Sequence, residues 1–102
     1  FESPEGVQLV RRYRANKAFI SASGVNLRLG VTCANAYEVE TKKAALASSL
    51  TRILVADSSK LGRIHPAFFA ELTDFQRVIT DGALNAETAE RIRALGIELE
   101  RV

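Results

Sequence analysis

The sequence predicts an α/β fold, a mostly parallel open sheet with flanking helices, and two observations carry that prediction. The first is Ile53-Leu54-Val55-Ala56, four apolar residues in a row bounded by Arg52 and Asp57. A half-exposed strand alternates apolar with polar residues, whereas a short unbroken run suits a strand covered on both faces. The second is order. Apolar runs of strand length recur between segments of helical periodicity, and strands separated by helices at this spacing pair in parallel through right-handed crossovers. The expected order is helix, strand, helix, strand, strand, helix, strand.

Ser3-Pro4-Glu5 opens the first helix, with a hydroxyl at the cap, proline in the first turn and an acid where the helix dipole is positive. Val7, Leu9, Val10 and Tyr13 recur at three- and four-residue spacing and carry it to about Arg14. Ala18–Ala22 follows as a short strand, ended by Ser23-Gly24, whose small side chains permit close approach. Val25–Val31 reads as a connection bent at Gly30. Asn35-Ala36-Tyr37-Glu38 has the spacing of a capping box, and a helix is expected from there to about Leu50, with Val39, Leu46 and Leu50 on one face. Lys42 shares that face, so its ammonium either snorkels outward or lines a cleft between helix and sheet.

Beyond the central strand, Pro66–Leu72 fits either a short strand or a loop packed over the core through Phe68 and Phe69. Gln76–Thr80 is a further strand, ended by Asp81-Gly82. Asn85 caps a last helix with Ala89, Ile92 and Leu95 inward, and Gly96 closes it where a left-handed residue is wanted. Ile97–Glu100 alternates, which marks a final strand with one wet face.

At 102 residues the chain fits one small domain, and 47% hydrophobic with 25% charged residues argues against disorder. No apolar run approaches the roughly 20 residues of a membrane span, and no basic-then-apolar leader opens the chain, so no membrane partner is expected. A lone cysteine, Cys33, cannot form an internal disulfide; a reducing cytoplasm is the default, and a buried inert thiol its expected role. The sequence has no methionine, so it is expected to be a piece of a longer protein. Fourteen Lys and Arg against twelve Asp and Glu leave a net charge of +2, too little to argue for nucleic acid. The basic cluster Arg11, Arg12, Arg14 and Lys17 fits a solvated helix face or a phosphate-backbone contact, and the solvated face is the expected reading.

In open parallel sheets ligands sit outside the carboxyl ends of the strands. Three segments should emerge there: Ser21-Ala22-Ser23-Gly24, the segment from Thr32 through Asn35 to Glu38 and Lys42, and Asp57-Ser58-Ser59-Lys60. Together they offer hydroxyls, an amide, carboxylates and two ammonium groups. That mixture suits a polyhydroxylated ligand with an anionic group, because carboxylates and amides hold hydroxyls while lysine and a helix N-terminus hold phosphate. Each residue also has a structural use. Asn35 and Glu38 can cap the helix, Glu38 and Lys42 can pair at four-residue spacing, and Asp57 can bond its own turn. His65 stands alone, without metal-ligand spacing, and no phosphate-cradling glycine loop is present, so neither a metal nor a cofactor is expected.

The segments 17-KAFISASG-24, 30-GVT-32, Asn35, Glu38, Lys42, 53-ILVADSSKLGR-63 and 78-VITD-81 resemble, in order, the effector-sensing domain of DeoR-type bacterial transcriptional repressors. The Asp57-Ser58-Ser59-Lys60 segment with Gly62 and Arg63 is the most specific part. The resemblance implies a ribose-5-phosphate isomerase-like fold, here a partial domain, that senses phosphorylated sugars or related metabolites without catalysis. It also implies that DNA is bound only through a helix-turn-helix domain ahead of the sensor, which this sequence lacks together with the sensor's earlier half. Leu61 stands where the family usually has phenylalanine. A partial sheet with an unpaired edge further suggests a homo-oligomer. The expected ligand set is Ser21, Ser23, Gly24, Asn35, Glu38, Lys42, Asp57, Ser58, Ser59 and Lys60, with no catalytic residue. The rival is an isomerase-type enzyme with Glu38 or Asp57 as base and Lys60 or Lys42 stabilising an enediolate; a structural assembly domain is a third reading.

Overall fold

A computed structural model of the chain describes residues 4–102. Ser3, the expected cap of the first helix, lies outside them. Helix α1 (Pro4–Arg12) leads to strand β1 (Ala15–Ser21), then to β2 (Gly24–Asn26) and β3 (Gly30–Cys33). A 3-10 turn (Ala36–Glu38) runs into α2 (Val39–Ala47), followed by β4 (Ser49–Val55) and a second 3-10 turn (Ser58–Lys60). The remainder comprises β5 (Ala67–Ala70), a third such turn (Leu72–Asp74), β6 (Arg77–Thr80), α3 (Ala86–Ala94) and β7 (Glu98–Arg101).

Four strands form the expected parallel sheet in the order β1-β4-β6-β7. Ser21 stands opposite Val55, and Val55 opposite Ile79, so the chain leaves all three strands at one edge. Ile53 and Leu54 point to opposite faces and are both buried, which confirms cover on both sides of the central strand. The cover ends at Val55, which is 40% exposed although the apolar run predicted an enclosed residue. Leu54, Val78, Phe75, Ala89 and Ile92 meet in one core with Val25 and Val31. Burying a large side chain of this kind contributes roughly 1.5–3 kcal/mol.

A second, antiparallel sheet, β2-β3-β5, departs from the expected order. Val25–Val31, read from sequence as a plain connection, is a hairpin. Asn26 Oδ1 accepts from the amides of Arg28 (2.9 Å) and Leu29 (2.7 Å), a side-chain-built turn. Gly30 then adopts φ 97°, where a Cβ would also meet the Phe68 ring at 2.5 Å. The ambiguity over Phe68 and Phe69 resolves as strand β5, paired with β3.

Two helix ends also differ from expectation. Helix α2 stops at Ala47, because Ser48 turns the chain and its carbonyl accepts from Ala15 N at 3.0 Å. Ser49 already pairs with Ala15, and Leu50 is carried into β4 with 78% exposure rather than facing inward. Leu95, expected in the core, lies past the last turn of α3 and is exposed; Ile97, beyond Gly96 at φ 83°, is buried there. No helix among the described residues is long and apolar enough to cross a membrane.

Candidate functional site

The first group of candidate residues gathers where β1 ends and α2 begins. Lys42 Nζ donates to the Ser21 carbonyl at 2.9 Å and stands 5.4 Å from the centre of the Phe69 ring. Of its two expected dispositions it takes the inner one, between helix and sheet, and its partner is Ser21 rather than Glu38 one turn earlier. The capping box predicted at Asn35 does not form. Asn35 makes no side-chain cap bond; its Nδ2 donates to Glu38 Oε2 at 3.1 Å, while Glu38 N closes the turn on the Asn35 carbonyl. Cys33 is buried beside them, and burial, then the Glu38 carboxylate, push its thiol above the ordinary range, with Lys42 acting the other way.

Ser23 and Gly24 join β1 to the hairpin. Ser23 N donates to the Thr32 carbonyl at 3.0 Å. A Cβ on Gly24 would lie 2.6 Å from the Arg63 carbonyl oxygen and 2.8 Å from Thr32 Oγ1, so glycine is required for packing of the 61–63 segment over β2. His65 N donates to that same Thr32 hydroxyl at 3.0 Å. Among the described residues no group of three or more His, Cys, Asp or Glu is arranged to hold a metal ion.

The second group follows β4. Asp57 accepts from both the amide and the hydroxyl of Ser59, and so adopts its own-turn role. The Ser59 hydroxyl is the main cause holding this carboxyl below its ordinary range, with Lys60 assisting. Lys60 is half-buried on the same turn. Asp81, at the end of β6, accepts from Ser58 N at 2.8 Å and Ala83 N at 2.9 Å. The Ser58 amide, then its hydroxyl, hold Asp81 low as well. The loops after β4 and β6 are thereby tied together.

A cleft of about 440 Å³ opens between the β2–β3 turn, the Ser58–Lys60 turn and the start of α3. Ser58 and Ser59 line it; Ser21, Ser23, Gly24, Asn35, Glu38, Lys42, Asp57 and Lys60 do not. Its other polar walls were missed from sequence. Asn85, Thr88 and Arg91 line it at three-residue spacing along α3, beside the Ala89–Ile92 core stripe, a periodicity that was legible. Asn26 and Arg28 also line it, but nothing in a supposed connection pointed to them.

The chain matches the family model of the DeoR C terminal sensor domain over residues 1–82. It is 35% identical over 74 residues to the deoxyribose operon repressor of Escherichia coli strain K12, covering 72% of this chain and 29% of that protein. It is 36% identical over 87 residues to a lactose phosphotransferase system repressor of Staphylococcus epidermidis, covering 85% and 34%. An uncharacterized HTH-type transcriptional regulator, YulB of Bacillus subtilis, is 29% identical over the whole chain, which covers 40% of that protein. The chain thus spans well under half the length of these relatives, which are transcriptional regulators and not enzymes. With four-fifths of its length under the family model, the chain belongs to the DeoR C-terminal sensor domain family.

Proposed function

We propose that the chain is the effector-sensing part of a DeoR-type transcriptional regulator, and that its effector is a phosphorylated sugar or related metabolite bound without turnover. The observation that carries this reading is the shared carboxyl edge of β1 and β4, where Ser21 and Val55 are in register. Lys42 reaches Ser21 there, and the Asp57–Lys60 turn follows the neighbouring strand. In this reading Asn35 and Glu38 hold ligand hydroxyls, Lys60 and Lys42 face the anionic group, and Ser21, Ser23, Gly24, Asp57, Ser58 and Ser59 shape the surrounding edge. An ammonium has three donors, so Lys42 keeps two beyond its bond to Ser21. Two relatives are named for sugar systems, deoxyribose and the lactose phosphotransferase, which agrees with an effector of that class. DNA binding is assigned to a helix-turn-helix domain outside this chain, and the regulator acts as a homo-oligomer in the cytoplasm.

A thermal-shift screen of pentose, hexose and amino-sugar phosphates against the full-length regulator tests the reading. A ligand at a hundred times its Kd stabilises the folded state by about 2.7 kcal/mol, a readable rise in Tm. A sugar phosphate that raises Tm and is recovered unchanged supports a sensor. Conversion of the sugar phosphate to an isomer would replace the sensor with an enzyme, and no rise with any member would remove the ligand class.

A further inference from the structure

One acid of the carboxyl edge has no place among the residues proposed to hold a ligand. Asp81 ends the 78-VITD-81 segment, and its charge would repel the anion that Lys60 and Lys42 are proposed to face. What it holds instead is main chain. The ladder between β4 and β6 ends with the pair Val55–Ile79 and a 3.1 Å bond from Ala56 N to the Ile79 carbonyl. Just beyond, one Asp81 oxygen accepts from Ser58 N at 2.8 Å and the other from Ala83 N at 2.9 Å. A single carboxylate thus spans both loops, with one oxygen for each.

The Ser58–Lys60 turn does not fix its own position. Asp57 caps it from within, by its side chain on Ser59 N and by its carbonyl on Lys60 N at 3.0 Å, and those bonds move with the turn. Its ties to the rest of the fold lie at its two ends. At the far end Leu61 bridges Val25, and Gly62 N donates to the Val25 carbonyl at 2.8 Å. At the near end the tie is Asp81. Asp81 and Ser58 are both half-buried whereas Asp57 is exposed, so water competes less for the Asp81 bond. Lys60 is the third residue of the turn, and its stem starts where these two ties place it.

We infer that Asp81 is a positioning residue of the effector edge: it touches no ligand, and through Ser58 N it seats the turn that carries Lys60. The inference rests on the effector reading for the role of Lys60, whereas the seating of the turn is measured without a ligand.

The test uses the full-length regulator and its D81A, D81N, K60A and D81A/K60A variants, each shown to be folded by urea unfolding. Hydrogen exchange read by mass spectrometry measures the seating. D81A should speed exchange in peptides covering residues 57–62 and leave those covering β1 unchanged. D81N keeps one acceptor oxygen for two amides, so it should fall between, and it carries the same comparisons if D81A does not fold. Titration with inorganic phosphate measures the consequence. Loss of a nearby negative charge alone would leave phosphate binding unchanged or tighten it. A displaced Lys60 does the opposite. D81A should weaken phosphate roughly tenfold, the lower end of what loss of a charge-assisted hydrogen bond does, and no further once Lys60 is gone. An acid that merely stabilises the fold produces neither that sign nor that non-additivity. Unchanged exchange at 57–62, phosphate bound equally or more tightly by D81A, or an undiminished loss in the K60A background overturns the positioning role. A parent that binds no phosphate removes the effector reading of Lys60 instead, and exchange alone then decides whether Asp81 seats the turn.

Discussion

Lys42 on α2 and Ser21 at the end of β1 are joined by a 2.9 Å bond from ammonium to main-chain carbonyl, across 21 residues of sequence. The bond fixes the start of α2 against the strand edge at which a ligand is proposed, and the ammonium also stands over the Phe69 ring. Replacing Lys42 with methionine keeps the apolar stem and removes both interactions. K42M is expected to lose about 1–3 kcal/mol in urea unfolding, from one charge-assisted hydrogen bond and a cation–π contact. Stability equal to the parent would show that the bond contributes nothing net.

Gly24 and Gly62 separate two reasons for glycine. At Gly24 the backbone is ordinary but a Cβ collides with the Arg63 carbonyl, and G24A is expected to destabilise by about 1–3 kcal/mol or more through overpacking. At Gly62 space is open but φ is 93°, so G62A should cost about 1–2 kcal/mol through backbone strain alone. Asparagine tolerates left-handed backbone better than alanine. G62N should therefore recover part of that loss, and G24N none; the reverse pattern in denaturation midpoints would exchange the two explanations.

Asp57 and Asp81 are both held below the ordinary carboxylate range by serine donors. A depressed folded-state pKa supplies stability that is fully present above the unfolded value, about 3.9, and is lost as pH falls through the folded one. Unfolding free energy should therefore decline as pH is lowered from about 5 into the region below 4. D81N is expected to flatten that decline, because the titrating group is gone. An unchanged acid slope in D81N would assign the acid sensitivity elsewhere.

Cys33 is buried with its thiol raised, mainly by desolvation. Since the thiolate is the reactive form, its reaction with a disulfide reagent at neutral pH should be slow in the folded protein and fast once denaturant exposes it. Rapid stoichiometric reaction in the native state would contradict the buried placement.

The sequence made the parallel sheet legible because Ile53 and Leu54 are adjacent and apolar, and only burial on both faces suits such a run. It concealed the second sheet, since β2 and β3 are short and their turn is built by the Asn26 side chain rather than by an Asn-Gly or Asp-Gly signal. Leu50 misled for a related reason: two serines switch helix to strand with no glycine or proline to mark the change. Glu38 and Asn35 had the spacing of a capping box, but the first turn there is 3-10, and the two side chains bond each other instead. Lys42 was legible as a lysine on an inward face. Arg28 and Arg91 were not, because three-dimensional proximity alone brings a hairpin tip to α3.

The central claim, a sensor whose effector carries phosphate at the strand edge, is tested most directly at Lys60. Titrate the full-length regulator and its K60A variant with the sugar phosphate selected by thermal shift and with the same sugar unphosphorylated. A charge-assisted hydrogen bond contributes about 1.5–3 kcal/mol, so K60A should weaken the phosphorylated ligand roughly ten- to a hundredfold and the free sugar far less. Equal loss for the two ligands, or no loss for either, would contradict the phosphate role of Lys60 and with it the proposed sensing edge.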